Sequence, residues 1–203
     1  MTGLFGIDYK DIPLFFFTCV MSQEELAISQ SKDWIEQVVI AEQFCPFAKL
    51  PFEQDKVRYW VLMGTDQEAH LEILVRELEH LDQHAEIETS LLIFPKALES
   101  FEDYLDFLEM AMDLSAEQGY EGTFQIASFH PRYQFEGTAP SDASNYTNRS
   151  PYPMLHLLRE ESVEKAIELH PNTEAIPQRN IEHAQKLGSE HFERILAEIS
   201  EEN

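Results

Sequence analysis

Three short β-branched and aromatic runs, separated by stretches of helical periodicity, constrain this chain more than anything else in it. Val57–Met63 (VRYWVLM), Thr89–Phe94 (TSLLIF) and Thr123–Phe129 (TFQIASF) read as strands. Between the first two, Leu71, Leu74, Val75, Leu78 and Leu81 recur at helical spacing behind a capping box, Thr65-Asp-Gln-Glu68. Between the second and third, Ser100 caps a helix predicted to turn Phe101, Leu105, Leu108 and Met112 to one face, with Gly119 where a C-terminal glycine belongs. This alternation predicts an α/β fold, with a sheet of three or more strands in β-α-β-α-β order, parallel and joined by right-handed crossovers. A ferredoxin-like α+β arrangement is the alternative, because strand order is not contained in the pattern.

Helices flank this unit in sequence. Ser22-Gln-Glu-Glu25 is a capping box that opens an N-terminal helix predicted to run to Phe44 and to stop by Pro46. Gly137–Ser150 is a polar loop. Two C-terminal helices are predicted beyond it, Pro153–Leu169 and Pro177–Ile199. A chain of 203 residues suits one well-cored globular domain, assigned to residues 21–203. Residues 1–20 stand apart. They carry an apolar stretch, Ile12–Val20, without the basic start or small-residue cleavage site of a secretory signal. They read as upstream translation ahead of a natural start at Met21, or as a strand or hydrophobic tail packed on the domain.

Charge narrows the function. Fourteen Lys and Arg stand against 38 Asp and Glu, a formal net charge of −24, which repels phosphate backbones and anionic headgroups. Nucleic-acid and membrane partners are therefore not expected. Two cysteines, Cys19 and Cys45, form no CxxC, and a reducing, cytoplasmic location follows as the simplest expectation.

The acidity breaks between Thr123 and Arg159. That window holds only Glu136 and Asp142 against Arg132, Arg149 and Arg159. A positive spot in a negative shell suits a small anion and rejects a large polyanion, since local charge prevails only within about 8–10 Å at ordinary ionic strength. Arg149 and Asn148 sit in Asn148-Arg-Ser-Pro-Tyr-Pro153, whose prolines stiffen the backbone ahead of a predicted helix N-terminus. A guanidinium fork matches carboxylate or phosphate. His156 and Arg159 would share one face of that helix. His130 and Arg132 fall just past the third strand, and Lys96 just past the second, where open parallel sheets place their ligands. Pairing of the arginines with the abundant carboxylates is the plain structural alternative.

Cys45-Pro46-Phe47-Ala48 is the second cluster. As a nucleophile Cys45 would need His130 or His156 as its base, yet a helix C-terminus disfavours a thiolate. Lys49 offers partial compensation. A buried, inert cysteine is the plain alternative. No HxH or HExxH occurs, and although His80 and His84 stand four residues apart on a helix, no metal site is predicted. His80 and His84 read as a solvated helix face. Glycine-rich phosphate loops and GxSxG elbows are absent too, and no cofactor is indicated.

Cys45-Pro-Phe-Ala48, Phe129-His-Pro-x-Tyr-x-Phe135 and Asn148-Arg-Ser-Pro-Tyr-Pro153 followed by His156-Leu-Leu-Arg159-Glu160 resemble the signature segments of a mostly bacterial family catalogued as domain of unknown function 1415. The resemblance runs from about Leu26 to the C-terminus. It implies no activity, cofactor or partner, but it implies that the Cys45 cluster and the 123–159 window meet in space. The leading expectation is a small enzyme acting on an anionic metabolite. Arg149 would bind the anion with Arg132, Arg159 and Asn148, and Cys45, His130 and His156 would do the chemistry. The alternatives are a non-catalytic anion-binding or regulatory module, and an acidic protein-interaction domain. Oligomeric state is left open.

Overall fold

A computed structural model describes residues 21–169 and 172–201. The 1–20 segment lies outside the described residues. The chain opens with α1 (Gln23–Trp34), which loosens into a π-helical continuation at Ile35–Ile40, followed by the short α2 (Lys49–Glu53). Then come β1 (Val57–Val61), α3 (Gln67–Gln83), β2 (Thr89–Ile93), α4 (Phe101–Glu117) and β3 (Phe124–Phe129). A long loop with a 3₁₀ turn at Ala143–Thr147 leads to β4 (Met154–Arg159) and α5 (Glu160–Leu169). A second 3₁₀ turn (Thr173–Ala175) precedes α6 (Ile176–Leu187) and α7 (Ser189–Glu201).

The fold is α/β, with an N-terminal helix and two helices at the C-terminal end. The predicted β-α-β-α-β unit forms, and its three strands point the same way. The sheet is larger, however, in the order β1-β2-β4-β3, because β4 slots antiparallel between β2 and β3. That corrects the helix expected over Pro153–Leu169, whose first part is strand. Met154, Leu155, Leu157 and Leu158 are packed from both sides, so the run shows no clean alternation and reads equally well at helical spacing. The helix expected over Pro177–Ile199 is likewise two, broken at Gly188, whose φ of +82° ends α6.

Two cores lie on opposite faces of the sheet. On one, α3 and α4 cover Leu62, Leu92, Phe94, Phe124, Leu155 and Leu157. On the other, α1, α6 and α7 bring Ala27, Trp34, Ala184, Phe192 and Ile199 onto Leu91, Ile93 and Met154. The capping box at Ser22 forms, Ser22 Oγ accepting from the Glu25 N–H at 3.1 Å. At α3 the cap is Asp66 rather than Thr65, its carboxylate accepting from Glu68 N–H at 3.1 Å. Ser100 caps α4 as expected, but the face is rotated. Tyr104, Phe107, Ala111 and Ser115 are buried, while Leu105 and Met112 stand 42% and 53% exposed. This helix is apolar around more than half its circumference, so spacing alone admits two solutions.

Candidate functional site

The loop from His130 to Pro153 crosses the end of the sheet where β1, β2 and β3 finish and β4 begins. Its anchor is Asn145, wholly buried. Its side-chain oxygen accepts from Phe135 N–H at 3.0 Å and the Thr138 hydroxyl at 2.9 Å, and its amide donates to the Ala139 carbonyl at 2.9 Å. Such short polar side chains replace ladder bonds where the chain has left regular structure.

Arg149 is set within this loop. Its Nε donates to the Tyr133 carbonyl at 3.0 Å and its Nη2 to the Pro140 carbonyl at 2.7 Å. The guanidinium carbon lies 4.5 Å from the centre of the Tyr146 ring, a cation–π contact. Its own carbonyl accepts from the Trp34 indole N–H at 2.9 Å, which fastens the residue to α1. Among the described residues no ion pair is made by Arg132, Arg149 or Arg159. The plain alternative of arginines neutralised by carboxylates is therefore not what the structure shows, and carbonyl partners leave a formal charge intact. Arg132, exposed, directly precedes the Tyr133 that holds Arg149, and these two share one end of the sheet.

Arg159 does not join them. It lies at the far end of β4, where its guanidinium donates to the carbonyls of Leu81, His84 and Ile87 and closes the C-terminus of α3. The expected shared face of His156 and Arg159 fails for the same reason as the helix: along a strand, residues three apart point to opposite faces.

His130 is fully buried. The Arg132 N–H can only donate, so at 3.0 Å it makes Nδ1 the acceptor, and Nε2 carries the proton given to the Leu98 carbonyl at 2.9 Å. Neither nitrogen has a lone pair left to take a proton from substrate. Burial, reinforced by the Arg132 charge, holds its pKa below the usual histidine range. Asn148 serves the same joint, its carbonyl accepting from His130 N–H and its side-chain amide donating to the Ser128 carbonyl, each at 3.1 Å.

His156 faces the other core. Its Nε2 bonds the Thr89 hydroxyl at 2.7 Å, and that hydroxyl donates onward to the Leu157 carbonyl at 2.5 Å. Burial pushes its pKa down to about 4. Cys45 packs at the rim of that same core, whereas His130 packs on Phe101 and Tyr104 across the sheet. Cys45 and His130 are thus not brought together. Burial raises the Cys45 thiol pKa, against smaller contributions from the Phe47 and Ala48 backbone. Lys49 pairs instead with Glu53 at 3.7 Å. Lys96 is exposed.

Sequence reasoning missed Trp34, Tyr133, Pro140 and Tyr146 as the frame of Arg149. Three act through backbone carbonyls or a ring face, which leave no pattern, although the aromatic in Asn145-Tyr-Thr-Asn-Arg149 was a usable sign. A trough of about 470 Å³ between α3 and α4 is lined by Asp103, Asp106, Glu109 and Asp113 and is unsuited to an anion.

The fold and this loop define an α/β protein with a braced arginine at one end of its sheet that makes no ion pair among the described residues, although the Tyr146 hydroxyl beside it donates to Glu193 at 3.0 Å. The family model described as "Protein of unknown function (DUF1415)" matches residues 26–194, and the chain belongs to that family. No curated protein and no solved structure matches it. No helix among the described residues is long and apolar enough to cross a membrane.

Proposed function

We propose that this protein is a non-catalytic module that binds a small anion, a carboxylate or phosphate, in a reducing cytoplasm. Arg149 provides the braced charge and Arg132 an exposed second one. The observation that carries the reading is the bracing of Arg149 by two carbonyls and a tyrosine ring with no ion pair among the described residues, in a chain of net charge −24. Holding a guanidinium by neutral groups keeps its charge available and removes most of the ordering cost of binding. His130 and Asn148 shape the loop in this reading and Arg159 lies outside it. Against catalysis stand a buried imidazole with both nitrogens engaged and a thiol held in its neutral form.

The test is thermal unfolding with inorganic phosphate and with citrate. A ligand that binds only the folded state adds about 2.7 kcal/mol at a hundred times its Kd. The wild type is expected to gain stability, Arg149→Ala to gain none, and Arg149→Lys to lose most of the gain, because an ammonium cannot keep both carbonyl contacts and present a fork. An equal gain in Arg149→Ala would overturn the reading. So would a turnover abolished by Cys45→Ala, which would restore the enzyme.

A further inference from the structure

α3 ends on a pair of histidines at the opposite end of the sheet from Arg149. His80 lies in the last turn of the helix and His84 is its C-cap, four residues on and therefore on the same face. Both are half-buried. Their imidazoles are stacked, with centroids 4.0 Å apart and 23° between the ring planes. Side chains that only solvate a helix are free to part, whereas these two rest against each other.

The nitrogens are poised for a further partner. His84 Nδ1 lies 2.8 Å from the His80 carbonyl, which can only accept, so Nδ1 carries the proton and Nε2 keeps its lone pair. A histidine that binds a metal through one nitrogen commonly donates its other N–H to a backbone carbonyl in this way. The His80 ring has no hydrogen-bond partner among the described residues, so its own lone pair is open as well. The backbone beneath the pair is fixed. Arg159 donates to the carbonyls of Leu81, His84 and Ile87, clamping the turn that carries His84 and lowering the ordering cost of binding there.

Charge and residue type select the ligand. The pair sits at the negative end of the α3 dipole, and Glu79, Asp82 and Glu86 nearby in the chain are exposed, against the single guanidinium of Arg159. Helical zinc sites present two histidines to one ion at this four-residue spacing. Imidazole favours zinc, nickel and copper, whereas magnesium and calcium demand oxygen. Among the described residues no group of three His, Cys, Asp or Glu side chains could enclose an ion, so water completes the coordination here.

We infer that His80 and His84 form a two-histidine site for a divalent ion of the zinc, nickel and copper class at the end of α3, in place of the solvated face expected from spacing alone. The ion is held by His84 Nε2 and one nitrogen of His80. The rings turn about their side-chain bonds to aim both lone pairs at it, while the clamped backbone stays in place.

Thermal unfolding and titration calorimetry of the untagged, chelator-treated full chain with nickel, zinc and magnesium chlorides test this. Nickel and zinc are expected to bind one ion at this site and to stabilise the fold, and magnesium to do neither. His80→Gln leaves the His84 bond and the Arg159 clamp intact, and should weaken nickel binding by about tenfold or more; circular dichroism checks that it folds. His183→Gln is the control, because His183 and His191 both bond Glu42 and make the competing cluster. It should leave the affinity unchanged. Absence of nickel and zinc binding overturns the inference, as does binding that survives His80→Gln or is lost in His183→Gln. None of these results bears on Arg149.

Discussion

His156 lies on the interior side of a central strand, its Nε2 proton committed to Thr89 and its charged form disfavoured by burial. The unfolded chain binds that proton with a pKa near 6.5, the folded chain only near 4. Between those values the unfolded state holds more protons, so stability rises with pH, is complete above about 6.5, and is lost as pH falls toward 4. The loss is about 2–3 kcal/mol, with His130 adding in the same direction. Denaturant midpoints measured across that range should show this slope, and His156→Gln should flatten most of it. Tyr104 is a second case. Its hydroxyl accepts from Phe129 N–H at 3.1 Å and donates to the Met154 carbonyl at 2.7 Å, standing inside the β3–β4 ladder in place of a direct bond. Tyr104→Phe orphans both groups and should cost about 1–3 kcal/mol in chemical unfolding. Residues of this kind mark how far the sequence can be read. The positive window was visible as charge. The partners of Arg149 and Arg159 are carbonyls, which every residue owns, so composition cannot say which of them a guanidinium will find.

At the level of elements, α3 is joined to the sheet by a buried ion pair. Arg58 Nε donates to Glu77 at 2.8 Å, and the Ser90 hydroxyl donates to the same carboxylate at 2.5 Å. The Glu77 side chain is wholly buried and that of Arg58 is 35% exposed. Glu77→Ala takes the acceptor from the buried Ser90 hydroxyl and the partner from Arg58, which still reaches water, and should cost about 2–3 kcal/mol, against about 1 kcal/mol for Ser90→Ala; equilibrium urea unfolding of the two separates them. Helices bounded by caps and strands bounded by turn residues were legible here: Ser22, Ser100 and Gly119 did what their positions promised. β4 was not, because a strand covered on both faces loses the alternation that identifies strands. The rotation of α4 was not either. Phe101, Leu105, Leu108 and Met112 form as good a stripe as the one that is buried, and only the position of the sheet decides between them.

For the whole molecule, the late-arriving β4 is the piece on which the architecture turns. It follows β3 in the chain, yet among the described strands it alone touches both β2 and β3. While the protein is being made, β1 and β2 can pair around α3 once both have emerged, because neither needs a later strand to lie between them. β3 cannot take its place until Arg159 has left the ribosome. Until then the growing polypeptide exposes an uncharged, aggregation-prone segment with neither of its edges occupied. A message truncated near Ser150 would yield a product with half a sheet and a sticky, unpaired strand, a natural substrate for chaperones and proteases. The strand order thus ties quality control to the arrival of β4.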